Sequence, residues 1–308
     1  MELNLLAQGI LALFAILVLA PLFAGLVNKL KAVFTARIGA PLVQPYHELR
    51  RLFRKETINA SSSSFISDIS PVINLVAVVV AAAMLPIGFT RPLISFEGDI
   101  ILFAYVLGLA RFFQILAAMD IGSSFEGMGA AREATFAVFA EPIFFFTIGS
   151  VAFAGNLTSI YDIYHSIRLD NLNYIVFIVV CSISVLILAV TECSRMPVDD
   201  PNTHLELTMI HEVMILDNSG VDLFLYQYSS YVKLFIYAIL ETSLFNPLAV
   251  QNYYVAIIIF LIVITALATA LAAVETATSR FKLKNVPHYL LFATAIGVLN
   301  LLIYTFTK

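Results

Sequence analysis

TECSRMPVDDPNTHLELTMIHEVMILDNSGVD, residues Thr191–Asp222, is the stretch from which the rest of the chain is read. It carries seven carboxylates (Glu192, Asp199, Asp200, Glu206, Glu212, Asp217 and Asp222) against one cation, Arg195, and two histidines. Two apolar runs flank it, at 172–192 and 223–243. The first, LNYIVFIVVCSISVLILAVTE, has no charge before its last residue. An apolar run of about 18 or more residues crosses ~30 Å of hydrocarbon as a helix. The acidic stretch therefore reads as a polar loop between two membrane helices, where function is first looked for.

The same alternation continues in both directions. The chain is 60% hydrophobic and 12% charged, with a mean hydropathy of +0.93. Eight spans are predicted, at 5–27, 69–89, 100–119, 133–154, 172–192, 223–243, 253–274 and 286–306. The runs are continuously apolar rather than alternating, which favours helices over a barrel. The expected fold is an all-α integral membrane protein of about eight transmembrane helices, with interfacial helices in cytoplasmic loops. It reads as a single polytopic domain over 1–308, with no soluble domain and no repeat. The first run lacks a basic leader and is long enough to span, so no cleavable signal is expected. The two cysteines, Cys181 and Cys193, fit no metal or disulfide spacing and read as buried small residues. No nucleic-acid partner is expected; the partner that composition demands is the lipid bilayer.

Basic residues orient the spans. Loop 28–68 carries Lys29, Lys31, Arg37, Arg50, Arg51, Arg54 and Lys55, and loop 275–285 carries Arg280, Lys282 and Lys284. Arg132 and Arg195 fall on the same side, against Arg91, Arg168 and Lys308 on the other. Both termini are therefore expected outside, and the first, third, fifth and seventh loops in the cytoplasm. The first loop reads TARIGAPLVQPYHELRRLFRKE, residues 35–56. Tyr46, Leu49, Leu52 and Phe53 recur at helical spacing between cations. That pattern predicts an interfacial helix with snorkelling cations, and equally a docking surface for a cytoplasmic partner.

Charges within spans are costly and should pair or line water. Arg111 lies in the third span, Lys233 in the sixth and Glu141 in the fourth, which Arg132 and Glu133 open. They read either as a structural ion pair or as a charge relay. Gly122, Gly127 and Gly129 before them predict tight turns. In the acidic loop, Pro197 and Pro201 end the helix. Asn202 or Thr203 could cap a new helix with Glu206 in its first turns. On it Leu205, Met209, Glu212 and Leu216 would share one face, and His204, Thr208 and His211 another. A two-histidine metal site there lacks the HExxH spacing, so a titratable proton-transfer surface is expected instead. Its histidines and acids are expected to shift towards neutrality. The plainer reading is a solvated acidic loop that docks a partner. Asp162, His165 and Asp170 read as solvated. Glu241 and Glu275 read as interfacial charges at span ends, and His47 and His288 as interfacial.

Three motifs carry a resemblance. They are Ala36-Arg37-x-Gly39 with Gln44-Pro45; Gly129-Ala130-x-Arg132-Glu133-Ala134 with Glu141-Pro142; and Glu192, Arg195-x-Pro197-x-Asp199, Glu206-Leu207 and Ser219-Gly220. With the eight-span layout, the chain resembles the membrane anchor subunit shared by respiratory complex I (its subunit 1, or H) and membrane-bound [NiFe] hydrogenases such as formate hydrogenlyase. Asn202 and His204 stand where the complex I pattern has acids, and the second motif looks like the hydrogenase branch. The resemblance implies a non-catalytic subunit without a redox centre, in a prokaryotic cytoplasmic membrane. It would anchor peripheral iron–sulfur and hydrogenase-like subunits, with [NiFe] in the partners, and link them to antiporter-like membrane subunits.

The expected coupling residues are Glu133, Glu141, Glu192, Asp199, Glu206, Glu212, His204, His211, Arg111 and Lys233. The expected peripheral-arm or quinone-like interface is Arg37, Gln44, Arg50, Arg51, Arg54, Arg132 and Arg195. A quinone-site subunit of a complex I-like dehydrogenase is the alternative, and an autonomous secondary transporter a third.

Overall fold

The computed structural model describes residues 2–58, 60, 62–88, 90–155, 157–166, 172–199, 209–245 and 253–307. In chain order the helices are α1 Glu2–Phe34, α2 Gln44–Phe53, α3 Phe65–Ala83, α4 Asp99–Asp120, α5 Ser124–Gly155, α6 Ile160–Ser166, α7 Leu172–Glu192, α8 Gly220–Leu244, α9 Tyr253–Ala277 and α10 Val286–Thr307. Eight of them, all but α2 and α6, are long and apolar enough to cross a membrane. No strand occurs among the described residues.

Lipid is as apolar as leucine, so membrane helices associate through close packing and hydrogen bonds rather than through hydrophobic burial. The α3–α4 pair shows both. Ala77, Ala81 and Ala82 are buried. Asn74 Nδ2 donates to the Ala110 carbonyl at 3.1 Å, and Ser70 Oγ to that of Phe113 at 2.8 Å. Helix α3 also packs on α8, α1 on α8 and α9, and α5 on α10. Large apolar side chains such as Leu11, Phe14, Tyr105 and Val138 remain exposed, as a lipid-facing surface requires.

Helix α2 follows its sequence pattern in part. Leu49 and Leu52 are buried, whereas Phe53 is exposed and meets Phe224 of α8 edge to face. Two expectations are corrected. Gly127 and Gly129 do not make turns: α5 begins at Ser124, nine residues before the expected span. Gly129 is small because another segment lies against it. A Cβ there would sit 2.3 Å from Val213 Cγ1 and 3.0 Å from the Ile210 carbonyl. The expected helix across the acidic loop is also absent from its described part. Residues 209–211 are not helical, and only a 3-10 turn follows, Glu212–Ile215. Asp200, Asn202, Thr203, His204 and Glu206 lie outside the described residues, as does Asp170.

Candidate functional site: a buried charge network between two cavities

Four charged side chains from four helices meet inside the bundle. Arg111 projects from the middle of α4, Glu133 from α5, Glu192 from the last residue of α7 and Lys233 from α8. Arg111 Nη2 contacts Glu192 Oε1, and Arg111 Nε lies 3.4 Å from Glu133 Oε1. Lys233 Nζ lies 2.9 Å from Glu192 Oε2, close enough for an ion pair although not aligned as a hydrogen bond. With all four ionised the set is neutral, which is how charge is tolerated at this depth. It is not fully satisfied. Arg111 Nε and Nη1 have no hydrogen-bond acceptor among the described residues. Such orphaned buried groups are the places where water or a moving proton is expected.

Cavities reach this network from two directions. Towards the basic loops, a cavity of about 340 Å³ is lined by Arg51, Arg195, His211, Glu212 and Tyr231. A small polar gap shares Cys193, His211 and Ser230 with it and reaches Arg111, Glu133, Glu192 and Lys233. Laterally, a cavity of about 70 Å³ touches Arg111, Glu192 and Tyr237 and ends at Glu141 and Tyr105. Glu141 is exposed on the side of the bundle, halfway along α5, and makes no ion pair among the described residues. Arg111 and Glu192 line both the gap that holds Glu133 and the lateral cavity that ends at Glu141.

The acidic stretch divides into two parts. Asp199 is buried and structural in its contacts. Its Oδ1 accepts from Arg280 Nη2 at 2.5 Å and its Oδ2 from the amides of Ile210 and His211, each at 3.1 Å. The 3-10 turn beside it carries the titratable groups. Burial first, and then the Lys233 charge, push His211 down to about 4. Burial first, and then the Asp199 carboxylate, push Glu212 up to about 7. The expected drift towards neutrality therefore holds for Glu212 and is corrected for His211, whose apolar surroundings and cationic neighbours disfavour its charged form. The His211 ring lies 3.4 Å from Gln114 Nε2.

The expected interface residues also separate. Arg37, Arg50, Arg51 and Arg54 are exposed, and Gln44 Nε2 donates to Glu48 Oε1 at 3.1 Å. Arg132 is half-buried and donates to the Met209 carbonyl at 2.8 Å. Arg195 is buried, with Nη1 3.2 Å from Glu275 Oε1, and lines the cavity beside Tyr231. Glu275, expected at the interface, is buried between Arg195 and Lys31, whose Nζ is 2.6 Å from Oε2. Glu241 is likewise buried, accepting from Ser182 Oγ. Asp162, His165, His47 and His288 are exposed.

Gln114, Tyr237 and Glu126 belong to this interior and were not singled out from sequence. Gln114 had a signal, since it stands three residues after Arg111 on one helix face. Glu126 is fully buried, and its Oε1 accepts from the Asp217 amide at 3.1 Å. Among the described residues no three His, Cys, Asp or Glu side chains converge on a metal-sized site. Cys181 and Cys193 are both buried as free thiols. Two cysteines do not make the four-thiolate set of an iron–sulfur cluster.

The eight membrane-length helices and the charge network they enclose belong to a multi-pass membrane protein. The family NADH dehydrogenase matches residues 7–305, and the chain belongs to that family. It is 28% identical over 276 residues to hydrogenase-4 component C of Escherichia coli (strain K12), covering 86% of this chain and 85% of the relative. It is 26% identical over 201 residues to formate hydrogenlyase subunit 4 of the same organism, covering 64% and 63%. Among solved structures, a chain of the membrane-bound sulfane sulfur reductase, an archaeal respiratory membrane complex, superposes with a TM-score of 0.80. That match covers 98% of this chain and 99% of the other at 19% identity, so it speaks for the fold.

Proposed function

We propose that this chain is the membrane anchor and ion-coupling subunit of a multisubunit hydrogenase-like redox complex related to complex I. It would lie in a prokaryotic cytoplasmic membrane with both termini outside. Relatives named as a hydrogenase-4 component and as a formate hydrogenlyase subunit support the class of complex. The observation that carries the coupling role is the Arg111–Glu133–Glu192–Lys233 network, set between a cavity near the basic loops and a lateral cavity that ends at Glu141. A reaction in a peripheral subunit that changed charge or protonation around His211 and Glu212 would alter the field on this network. A carboxylate at the depth of Glu141, with no ion pair among the described residues, would gain from a partner on a neighbouring subunit. A neighbouring membrane subunit, of the antiporter-like kind, would supply it. The exposed Arg37, Arg50, Arg51 and Arg54 would orient the iron–sulfur and hydrogenase-like subunits, which hold the metal centres.

The test is Glu141→Gln in the whole complex, with ions moved per electron measured in vesicles beside subunit composition. Assembly should be intact and the ratio clearly lowered. A fully assembled variant with a normal ratio would leave the network as a structural ion pair.

A quinone is the second reading, favoured by the volume of the cavity beside Tyr231, which is at the lower end for a small-molecule site. An inhibitor that competes with quinone should slow turnover only in that case.

A further inference from the structure

The largest of the cavities described is at the other end of the bundle. It measures about 530 Å³ and is open, lying between the start of α1, the loop after α3 and the short helix α6. Arg91, Ser95, Tyr161 and Asp162 supply its polar wall, and Leu6 and Leu93 its apolar one.

Its walls are pinned. Asp99, fully buried at the start of α4, accepts from the Ile160 amide at 2.7 Å and from Ser159 Oγ at 3.1 Å. Ser159 Oγ lies 3.2 Å from Ser95 Oγ. These bonds tie the loop to the start of α6. Gly9 lets the loop close on α1, since a Cβ there would lie 2.8 Å from Leu93 Cα. The cavity is thus built by the fold rather than left by a loose loop.

Its charges are of both signs. Arg91 and Asp162 are exposed, and neither makes an ion pair among the described residues. The Arg91 guanidinium is held 5.3 Å from the Tyr161 ring centroid, which leaves its N–H edges free to donate. From the mouth, Leu6, Ile10 and Phe14 run along α1 at intervals of four, 55%, 57% and 65% exposed. Residues four apart lie on one helix face. A cation and an anion with no ion pair among the described residues, beside an apolar track entering the bilayer, match a molecule with a zwitterionic head and aliphatic chains.

We propose that this cavity is a specific site for a phosphoethanolamine-headed phospholipid. Arg91 and the Ser95 hydroxyl would donate to the phosphate, and Asp162 would accept from the primary ammonium. The chains would lie along Leu6, Ile10 and Phe14. A choline head cannot donate to Asp162, and a glycerol head brings no cation to it. The proposal rests on the chain being a membrane protein and not on its coupling role.

The test uses the whole purified complex, stripped of lipid in detergent. It is then titrated with phosphatidylethanolamine, phosphatidylglycerol or phosphatidylcholine, and bound lipid is counted by native mass spectrometry. The wild type should retain the ethanolamine lipid roughly tenfold more tightly than either competitor, the size of effect one charge-assisted hydrogen bond gives. Arg91→Gln should lose that retention by a similar factor, and Arg91→Lys should restore part of it. Asp162→Asn should bind the glycerol and ethanolamine lipids equally. The proposal is overturned if both variants keep the wild-type preference. It is also overturned if glycerophosphoethanolamine, which has no chains, binds as well as the lipid. A cross-linker on Asp162→Cys in native membranes that captures another subunit instead of lipid would overturn it too.

Discussion

Two ion clusters in this molecule use the same residue types to different ends. The clasp near the basic loops joins Lys31, Arg195 and Glu275, with Asp199 and Arg280 alongside. The inner network joins Arg111, Glu133, Glu192 and Lys233. In the clasp Asp199 has both oxygens satisfied by a guanidinium and two amides, and it holds the returning chain at Ile210 and His211. In the inner network Arg111 keeps two nitrogens without a hydrogen-bond acceptor among the described residues, and cavities touch Glu192 from more than one side. A saturated carboxylate such as Asp199 fixes geometry, whereas an unsaturated network beside cavities can change state.

The comparison can be broken most severely at Arg111. Arg111→Met leaves Glu133 facing Glu192 without the guanidinium between them. Removing one partner of a buried pair costs roughly 3–5 kcal/mol. The variant should be scarce in membranes, and what assembles should be uncoupled. Quantitative blotting beside ions moved per electron checks both. Normal yield with normal coupling would remove the network from the mechanism.

Asp199→Asn is expected to separate the clusters. It weakens charge-assisted bonds worth about 1.5–3 kcal/mol each, so the complex should melt at a lower temperature. Complex that survives should still move ions, because no ion pair of the inner network is broken. Uncoupling without destabilisation would reverse the assignment of the two clusters.

The smallest effect is a pH dependence between them. Glu212 faces the cavity it shares with Arg51, Arg195, Glu48, His211 and Tyr231, with Asp199 close by. Its folded value of about 7 lies above its ordinary 4.5, so the stability tied to its proton is present below 4.5 and lost as pH rises through 7. His211, pushed from 6.5 down to about 4, acts in the opposite direction, stabilising above 6.5 and losing this as pH falls through 4. Above 6.5, then, Glu212 is the one of this pair that titrates. Melting temperature should fall between about pH 6 and pH 8 in the wild type, and fall less in Glu212→Gln. Equal slopes would mean that Glu212 does not hold its proton at neutral pH.

The sequence by itself determined the class. Span length and number are one-dimensional quantities, read directly from apolar runs, and seven of the eight helices start within four residues of expectation. It also flagged Arg111, Glu141 and Lys233, because a charge in an apolar run is conspicuous wherever the helix goes, and Glu133 and Glu192 at the ends of their spans and in the motifs. Only the tertiary structure decided who pairs with whom. Glu192 reaches Arg111 and Lys233 because α4, α7 and α8 converge, whereas Glu141 turns outward on the same helix that sends Glu133 inward. Nothing local marked Glu241 and Glu275 as buried either. A carboxylate at a span end is interfacial or interior according to what packs over it, and that is settled by Ser182 for one and by Lys31 and Arg195 for the other. Gly129 gives the same lesson in steric form. Its need to be small comes from Val213, a residue of another element that its own neighbourhood does not reveal.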